Sequence, residues 1–285
     1  MKKQRWLQYA AGFACAGIAT IASAACPSDL DAATVVASYM NRQAIGNPPP
    51  MSLDDAQCGR DKIVRFLGQQ LGPLVGYKAG LTNPAVQKRF NHDQPVRGVL
   101  FKGMLLPDGA EVPARFGARP VFEADLLVRV KSSAIHRAKT PEEVMKHIDA
   151  VIPFIELPDL IVQEPGKLNG ATLTYLNVGA RLGVMGKPLP MSAALGSQLP
   201  GMTVRMLDGE GHELDHGKGS DVMGHPLNAV IWLAQDIARA GGRLRAGDLL
   251  SLGSFSKLTP PKPGTDIRVV YEGLDGTPAV SVKFR

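Results

Sequence analysis

The stretch RPVFEADLLVRV, residues Arg119–Val130, decides the fold prediction. Side chains alternate across a β-strand, so alternate apolar residues from Phe122 to Val130 line one face, and Glu123 and Asp125 share the other. Two like charges on one strand face repel each other. The stretch therefore predicts a strand whose acidic pair either faces water or has a chemical role.

A third acid, Glu156, lies in VIPFIELPD, residues 151–159, which has the apolar content of a buried strand. Burial of an unpaired carboxylate is costly, so an acid at this position needs a partner. The three acids have three interpretations: contact with water, a shared proton for general acid–base chemistry, or a bound cation. With no cysteine and no nearby histidine, a ligand set of Glu123, Asp125 and Glu156 suits Mg²⁺ or Mn²⁺ rather than Zn²⁺.

The composition is that of a globular protein rich in turns. The 285 residues are 45% hydrophobic and 20% charged, with 31 glycines and 22 prolines, which is enough for one large domain or two small ones. The formal net charge is +6, but half of it comes from Lys2, Lys3 and Arg5. The remaining charge is too small to indicate a nucleic-acid partner.

Residues 1–24 have the layout of a secretory signal peptide. A basic tip precedes an apolar stretch and the small residues Ala-Ser-Ala at 22–24, a typical cleavage pattern. The segment is only weakly hydrophobic, which favours cleavage over retention as a membrane anchor. A lipid-modified Cys26 is a third possibility, but the leucine that usually lies three positions upstream is missing. We therefore expect a periplasmic or secreted protein with no stable membrane anchor.

Export also affects the interpretation of the cysteines. The mature chain would keep Cys26 and Cys58. An oxidising compartment permits one disulfide between them, worth about 3–4 kcal/mol. Two free thiols are the alternative, and the sequence alone leaves both open.

The chain divides into a helical part and a strand-rich part. Two helices separated by a proline-rich break predict a small helical N-terminal cap over residues 25–73. From residue 74 onward, short β-type runs alternate with Gly, Pro and Asp turns, which indicates an α+β domain with a rolled or sandwiched sheet over 74–285. The predicted helices are 29–43, 53–71, 141–148 and 226–240, and the predicted strands are 74–79, 98–101, 121–130, 151–157, 181–185, 202–207, 249–252, 267–271 and 279–284.

An ordered set of motifs resembles the fumarylacetoacetate hydrolase superfamily, and within it the branch of 2-keto-4-pentenoate hydratases and 4-oxalocrotonate decarboxylases. No single motif is decisive, but the set in this order is specific. The motifs are LDDAQ (53–57), VGYKAGLTNPAVQ (75–87), GVLFKGM (98–104), RPVFEADLLV (119–128), FIELPD (154–159), GHPLNAVIWLA (224–234), LRAGDLLSLGS (244–254) and VSVKF (280–284).

The resemblance implies a mixed β-roll fold and a divalent metal, Mg²⁺ or Mn²⁺, bound by Glu123, Asp125 and Glu156. Asp125 stands where the family has a glutamate, so its side chain is shorter by one methylene. The resemblance also implies a catalytic, substrate-binding lysine in the GYK motif and three further substrate-binding residues. These four residues are Lys78, Thr82, Asn177 and Ser254.

Two positions near the implied pocket depart from the family pattern. The segment that the family writes ADNAS is YLNVG here, residues 175–179, so that Leu176 replaces an acid. Lys257 stands where a small residue is usual. These departures leave the implied metal ligands in place and affect the choice of substrate.

The implied activity is hydration of a small 2-keto or 2-hydroxydienoic acid, such as 2-hydroxypenta-2,4-dienoate, through a metal-stabilised enolate. The implied setting is the catabolism of aromatic compounds. The alternatives are a decarboxylase or C–C hydrolase of the same fold, or a periplasmic keto-acid-binding protein without catalysis. A C–C hydrolase would need an activated water, and no His–Glu dyad stands out in the sequence. Because the family is usually oligomeric, we also expect a homo-oligomer.

Overall fold

The computed structural model describes residues 26–285, and the predicted signal peptide lies outside them. The model confirms the α+β class, with two mixed sheets and mostly short helices. The helices are α1 (Asp29–Met40), α2 (Leu53–Leu71), α3 (Pro84–Arg89), α4 (Pro141–Met145), α5 (Gly170–Tyr175), α6 (Ala193–Gln198) and α7 (Pro226–Arg239). The strands are β1 (Leu74–Gly80), β2 (Val96–Phe101), β3 (Leu105–Pro107), β4 (Ala110–Val112), β5 (Glu123–Val130), β6 (Ile148–Leu157), β7 (Leu182–Met185), β8 (Leu189–Pro190), β9 (Thr203–Asp208), β10 (Glu213–Lys218), β11 (Leu249–Ser251), β12 (Asp266–Glu272) and β13 (Ala279–Phe284).

Both sheets combine parallel and antiparallel pairs. The larger sheet has the order β2-β1-β11-β5-β6-β7-β3, with β8 also paired to β6. In it β1 runs parallel to β11 and β3 parallel to β7, whereas β5 is antiparallel to both of its neighbours. The smaller sheet has the order β10-β9-β12-β13-β4 and is parallel only between β13 and β4. The two sheets share one hydrophobic core, as expected for a rolled sheet.

Strand β5 lies inside the larger sheet and is covered on both faces. Leu126, Val128 and Val130 face the core shared with the smaller sheet, as the sequence predicted. The other face is also buried, because Leu127 packs into a second core that includes residues of α1 and α2. The acids of β5 lie on this second face, so the interpretation in which both face open water does not hold.

Helices α1 and α2 form one packed unit with the sheet. Their first turns are capped by Ser28 and Ser52, whose hydroxyl oxygens each accept a hydrogen bond from the amide three residues later at 3.1 Å. Apolar residues of α2 share the second core with β2 and α5. Cys26 and Cys58 are joined in a disulfide that ties the start of the described chain to α2. Among residues 26–285, no helix has the length and apolar content needed to cross a bilayer.

Some element boundaries differ from the predictions for local reasons. Helix α1 ends at Met40 rather than at residue 43, because Arg42 has a φ of 55°. Strand β5 begins at Glu123 rather than at residue 121, because the Phe122 amide donates to Thr259 O at 2.8 Å in an isolated bridge. The short helices α3, α5 and α6 were not predicted, since six residues carry too little periodicity.

Candidate active site

The three predicted acids lie together on one face of the larger sheet. Strands β5 and β6 pair so that Glu123 stands directly opposite Glu156. Asp125 is two residues further along β5 and therefore on the same face. Glu156 and Asp125 are buried, with 2% and 0% of their surfaces exposed. The antiparallel register thus concentrates three carboxylates where little water can solvate them.

Lys78 of β1 supplies the positive charge next to this cluster. Its Nζ forms a salt bridge with Glu156 Oε1 and donates a hydrogen bond to Val178 O at 2.9 Å. Both charged side chains are 3% exposed. One ammonium faces three carboxylates, so the cluster carries an excess of negative charge when all three are ionised.

Burial and mutual repulsion perturb the ionisation of these acids. Burial, followed by the negative charge of Glu156, raises the pKa of Glu123 well above its usual value. The same two causes raise the pKa of Asp125 to about 7, although the Ser251 hydroxyl opposes the shift. The strand pairing therefore favours either a proton or a cation shared among the acids.

The carboxylate of Asp125 is held by the end of β11. Its Oδ2 accepts a hydrogen bond from Ser251 Oγ at 2.6 Å, and its Oδ1 accepts from the amides of Leu252 and Gly253 at 3.2 and 3.0 Å. Glu123, by contrast, lines the cavity and has the Glu156 carboxyl as its close neighbour across the strand pair. The two acids of the predicted pair thus have different surroundings.

The three carboxylates have the donor atoms of a metal site but not the arrangement of a formed one. Between residues 26 and 285, no group of three or more His, Cys, Asp or Glu side chains is arranged to hold a metal ion. The donor chemistry nevertheless fits a hard divalent cation, because the set offers only oxygen atoms and has excess negative charge. A cation bound by all three acids would share the Glu156 carboxylate with Lys78. The metal site formed by Glu123, Asp125 and Glu156 stays a prediction.

A cavity of about 150 Å³ opens beside the acids. Lys78, Glu123 and Glu156 line it, and so do Thr82 and Ser254. Thr82 is only 4% exposed, and its hydroxyl has no hydrogen-bond partner among residues 26–285. Ser254 Oγ instead donates to Ser256 O at 2.7 Å. The structure thus brings five of the predicted site residues, Lys78, Thr82, Glu123, Glu156 and Ser254, to one cavity, whereas Asp125 does not line it.

Asn177 lies behind the cavity wall rather than in it. Its side-chain amide donates to Val99 O at 3.0 Å and its Oδ1 accepts from Val99 N at 2.7 Å, so both polar groups are occupied. This placement differs from the predicted contact with substrate. Asn177 instead positions the next residue, Val178, whose carbonyl accepts the hydrogen bond from Lys78.

The turn that carries this carbonyl has unusual backbone geometry. Asn177, Val178 and Gly179 have φ values of 53°, 54° and 65°. A β-branched residue with positive φ is strained, at a cost of order 1–3 kcal/mol. The two hydrogen bonds between Asn177 and Val99 hold the turn in place, and the strain is located at Val178, whose carbonyl is the partner of Lys78.

Tyr271 of β12 connects the smaller sheet to the acid-bearing strands. Its buried hydroxyl donates to Asp125 O and accepts a hydrogen bond from Phe154 N at 2.9 Å. Burial raises the pKa of Tyr271, so the hydroxyl keeps its proton and its donor role. One side chain therefore fixes β5 and β6 at the level of the acids.

Several cavity residues were missed or only partly identified from the sequence. Arg89 is the last residue of α3, and Phe90 follows it; both line the cavity. Asn83 followed by a proline is a sequence signal for the start of this helix. Of the two departures from the family pattern, Lys257 lines the cavity and Leu176 does not.

Sequence alignments with known hydratases extend over most of this chain. 2-Keto-4-pentenoate hydratase 1 of Dechloromonas aromatica (strain RCB) is 30% identical over 208 residues, which is 73% of this chain and 77% of that protein. The chain belongs to the 2-keto-4-pentenoate hydratase branch of the fumarylacetoacetate hydrolase superfamily. Membership in this branch confirms the family predicted from the motifs.

Two further comparisons concern the same branch. 2-Hydroxyhexa-2,4-dienoate hydratase of Comamonas testosteroni is 28% identical over 230 residues, or 80% of this chain and 86% of that protein. A solved structure of 4-oxalocrotonate decarboxylase from Pseudomonas putida G7, complexed with magnesium and adipate, has a TM-score of 0.79 and 27% identity. The superposition covers 89% of this chain and 95% of the decarboxylase chain. No model of a known protein family matches the chain.

Proposed function

We propose that this chain is a divalent-metal-dependent hydratase of a small 2-hydroxydienoic acid, such as 2-hydroxypenta-2,4-dienoate. The observation that carries the proposal is the cavity in which Lys78 faces Glu123 and Glu156. The similarity to hydratases over most of the chain supports the reaction class. Small anionic keto acids suit a cavity of this size and polarity.

Glu123, Asp125 and Glu156 are the residues that would hold Mg²⁺ or Mn²⁺. When bound, the cation supplies Lewis-acid stabilisation of negative charge on a chelated 2-oxo acid. The magnesium complex of the similar decarboxylase supports a divalent ion. The excess of buried negative charge in this chain supports the same conclusion from its own residues.

The residues of the chain define where substrate and protons are held. Lys78 Nζ, fixed by Glu156 and Val178 O, is placed to bind a carboxylate or to transfer a proton at the enol oxygen. The free hydroxyl of Thr82 offers a hydrogen bond to a substrate oxygen. Phe90 and Leu173 form part of an apolar wall that suits the diene carbons and limits entry of water.

The test is turnover of the dienol, followed by the loss of its ultraviolet absorbance. We expect turnover with Mg²⁺ or Mn²⁺, and loss of both activity and metal dependence in Glu123→Ala. Glu210→Ala, which changes an exposed acid in the turn after β9, serves as the matched control. Turnover that is unchanged in Glu123→Ala would refute the proposal, and ligand binding without any product would favour a binding protein.

A decarboxylase is the second candidate because the similar structure with a TM-score of 0.79 is a decarboxylase. Release of CO₂ from an oxalocrotonate-type diacid, in place of water addition, would distinguish it. C–C hydrolysis has less support, since no histidine lines the cavity within residues 26–285.

Export and assembly into a homo-oligomer are part of the proposal. The signal-like residues 1–24 and the disulfide between Cys26 and Cys58 both suit an oxidising compartment. Cell fractionation with N-terminal sequencing of the mature protein tests export. Light scattering coupled to gel filtration tests the oligomeric state.

A further inference from the structure

Two cationic residues line the exposed end of the active-site cavity. Lys78 and Glu156 are almost fully buried and define its inner end. Arg89, at the end of α3, and Lys257, after β11, line the same cavity but are exposed. The cavity therefore runs from a buried lysine–carboxylate cluster to a positively charged mouth.

The positive charges at the mouth have no ionic partner in the described part of the chain. Within residues 26–285, neither Arg89 nor Lys257 forms a salt bridge, whereas Lys78 is paired with Glu156. The nearest acid to Lys257 by contact is Asp215, which accepts a hydrogen bond from the Lys257 backbone amide at 2.7 Å. The guanidinium of Arg89 lies over the Phe90 ring, 5.6 Å from its centroid. Both cations remain available to an anionic ligand.

The backbone of Lys257 is anchored by hydrogen bonds, although its side chain is exposed. Besides the Asp215 contact, the preceding Ser256 accepts a hydrogen bond from Ala124 N at 2.9 Å. Ala124 lies between the two acids of β5, so the Lys257 side chain starts at a fixed position relative to the inner cluster. The wall between the two ends is apolar and includes Leu81, Val86 and Leu160.

We propose that Arg89 and Lys257 form an anion subsite that binds the distal carboxylate of a diacid, so that a 2-oxo or 2-hydroxydienoic diacid is preferred over a monoacid such as 2-hydroxypenta-2,4-dienoate. The identity of the substrate rests on the proposed function, but the subsite itself does not. An apolar wall with a charged mouth matches a ligand that has a hydrocarbon middle and an anion at each end. A monoacid would leave both cations without a partner and place a methyl group beside them.

Binding of adipate and hexanoate provides a test that needs no turnover. The two six-carbon acids differ only in the distal group, and the apolar wall alone would favour the methyl group of hexanoate. In isothermal titration calorimetry with MgCl₂, we expect adipate to bind more tightly than hexanoate. Arg89→Met and Lys257→Met should each weaken the binding of adipate about three- to tenfold, and the binding of hexanoate less than about twofold.

Lys262→Met is the matched control, because Lys262 is an exposed lysine five residues after Lys257 that does not line the cavity. It makes the same change in net charge and should leave the preference for adipate intact. Equal affinities of the two acids, no measurable binding of adipate, or an equal loss in Lys262→Met would overturn the subsite.

The outcomes for the subsite and for the proposed function are separable. A preference for adipate that depends on Lys257, without turnover of any dienol, would support the subsite and refute the hydratase. Turnover of a monoacid dienol with equal binding of adipate and hexanoate would support the hydratase and overturn the subsite.

Discussion

Removal of Lys78 should destabilise the protein more than removal of any exposed lysine. In Lys78→Met the aliphatic stem keeps its packing, but Glu156 loses its only salt bridge within the described chain while both residues are 3% exposed. Breaking a buried ion pair by removing one partner costs about 3–5 kcal/mol, because the other charge stays buried. For a chain of this size, that corresponds to a fall in Tm of roughly 6–20 °C.

The measurement is chemical and thermal unfolding at pH 8 with EDTA, so that no metal ion compensates the acids and proton uptake by them is less favourable than at neutral pH. Lys62→Met is the matched control, because Lys62 pairs with Asp29 at 3.3 Å with side chains 27% and 61% exposed. We expect that variant to lose less than about 1 kcal/mol.

A double variant isolates the cause. Replacing both Lys78 and Glu156 by methionine removes the orphaned charge, so it should recover stability relative to Lys78→Met. Added Mg²⁺ should also raise the Tm of Lys78→Met more than that of the wild type, since more negative charge is uncompensated. The electrostatic reasoning would be refuted if Lys78→Met lowered the free energy of unfolding by less than about 1 kcal/mol, or if the double variant were as unstable as the single one.

Three further predictions concern the disulfide, a helix cap and a turn. Cys58→Ser should lower the free energy of unfolding by about 3–4 kcal/mol in urea titrations, and the reduced wild type should match it. His225 Nδ1 accepts from Leu227 N at 3.0 Å, and burial lowers the pKa of this imidazole below 6.5. The folded state then binds fewer protons than the unfolded state, so stability should fall as the pH drops below 6.5, and His225→Asn should remove this loss. Gly253 has a φ of 105°, and a Cβ at this position would collide with the Thr82 hydroxyl. Gly253→Ala should therefore lower kcat/KM at least tenfold, roughly the loss expected from displacing one well-oriented group. Unchanged steady-state kinetics would contradict this prediction.

The strands near the acids were predictable because their signals are local. β5 and β6 are mostly apolar runs that contain a few acids. β13 was predicted with its observed bounds because apolar and polar residues alternate in it. The grouping of Glu123 with Glu156 depends on the register of an antiparallel pair. The motif comparison indicated this grouping, whereas the spacing of the residues alone left it open.

The different roles of Asp125 and Asn177 could not be read from the sequence. Both belong to segments that the family resemblance assigns to the site. Their polar atoms are taken up by backbone groups from distant parts of the chain, at Gly253 and Val99 respectively. Hydrogen bonds between residues about 80 to 130 positions apart leave no trace in local periodicity.

The position of Tyr271 has a consequence for how the molecule opens. Its hydroxyl bonds to β5 and β6 at once, and it reaches both only when the smaller sheet is seated against the larger one. Detachment of the smaller sheet would therefore break contacts at the base of the acid cluster. We therefore expect the two sheets to unfold together, because the strands that carry the acids cannot separate from the smaller sheet without breaking the bonds of this hydroxyl.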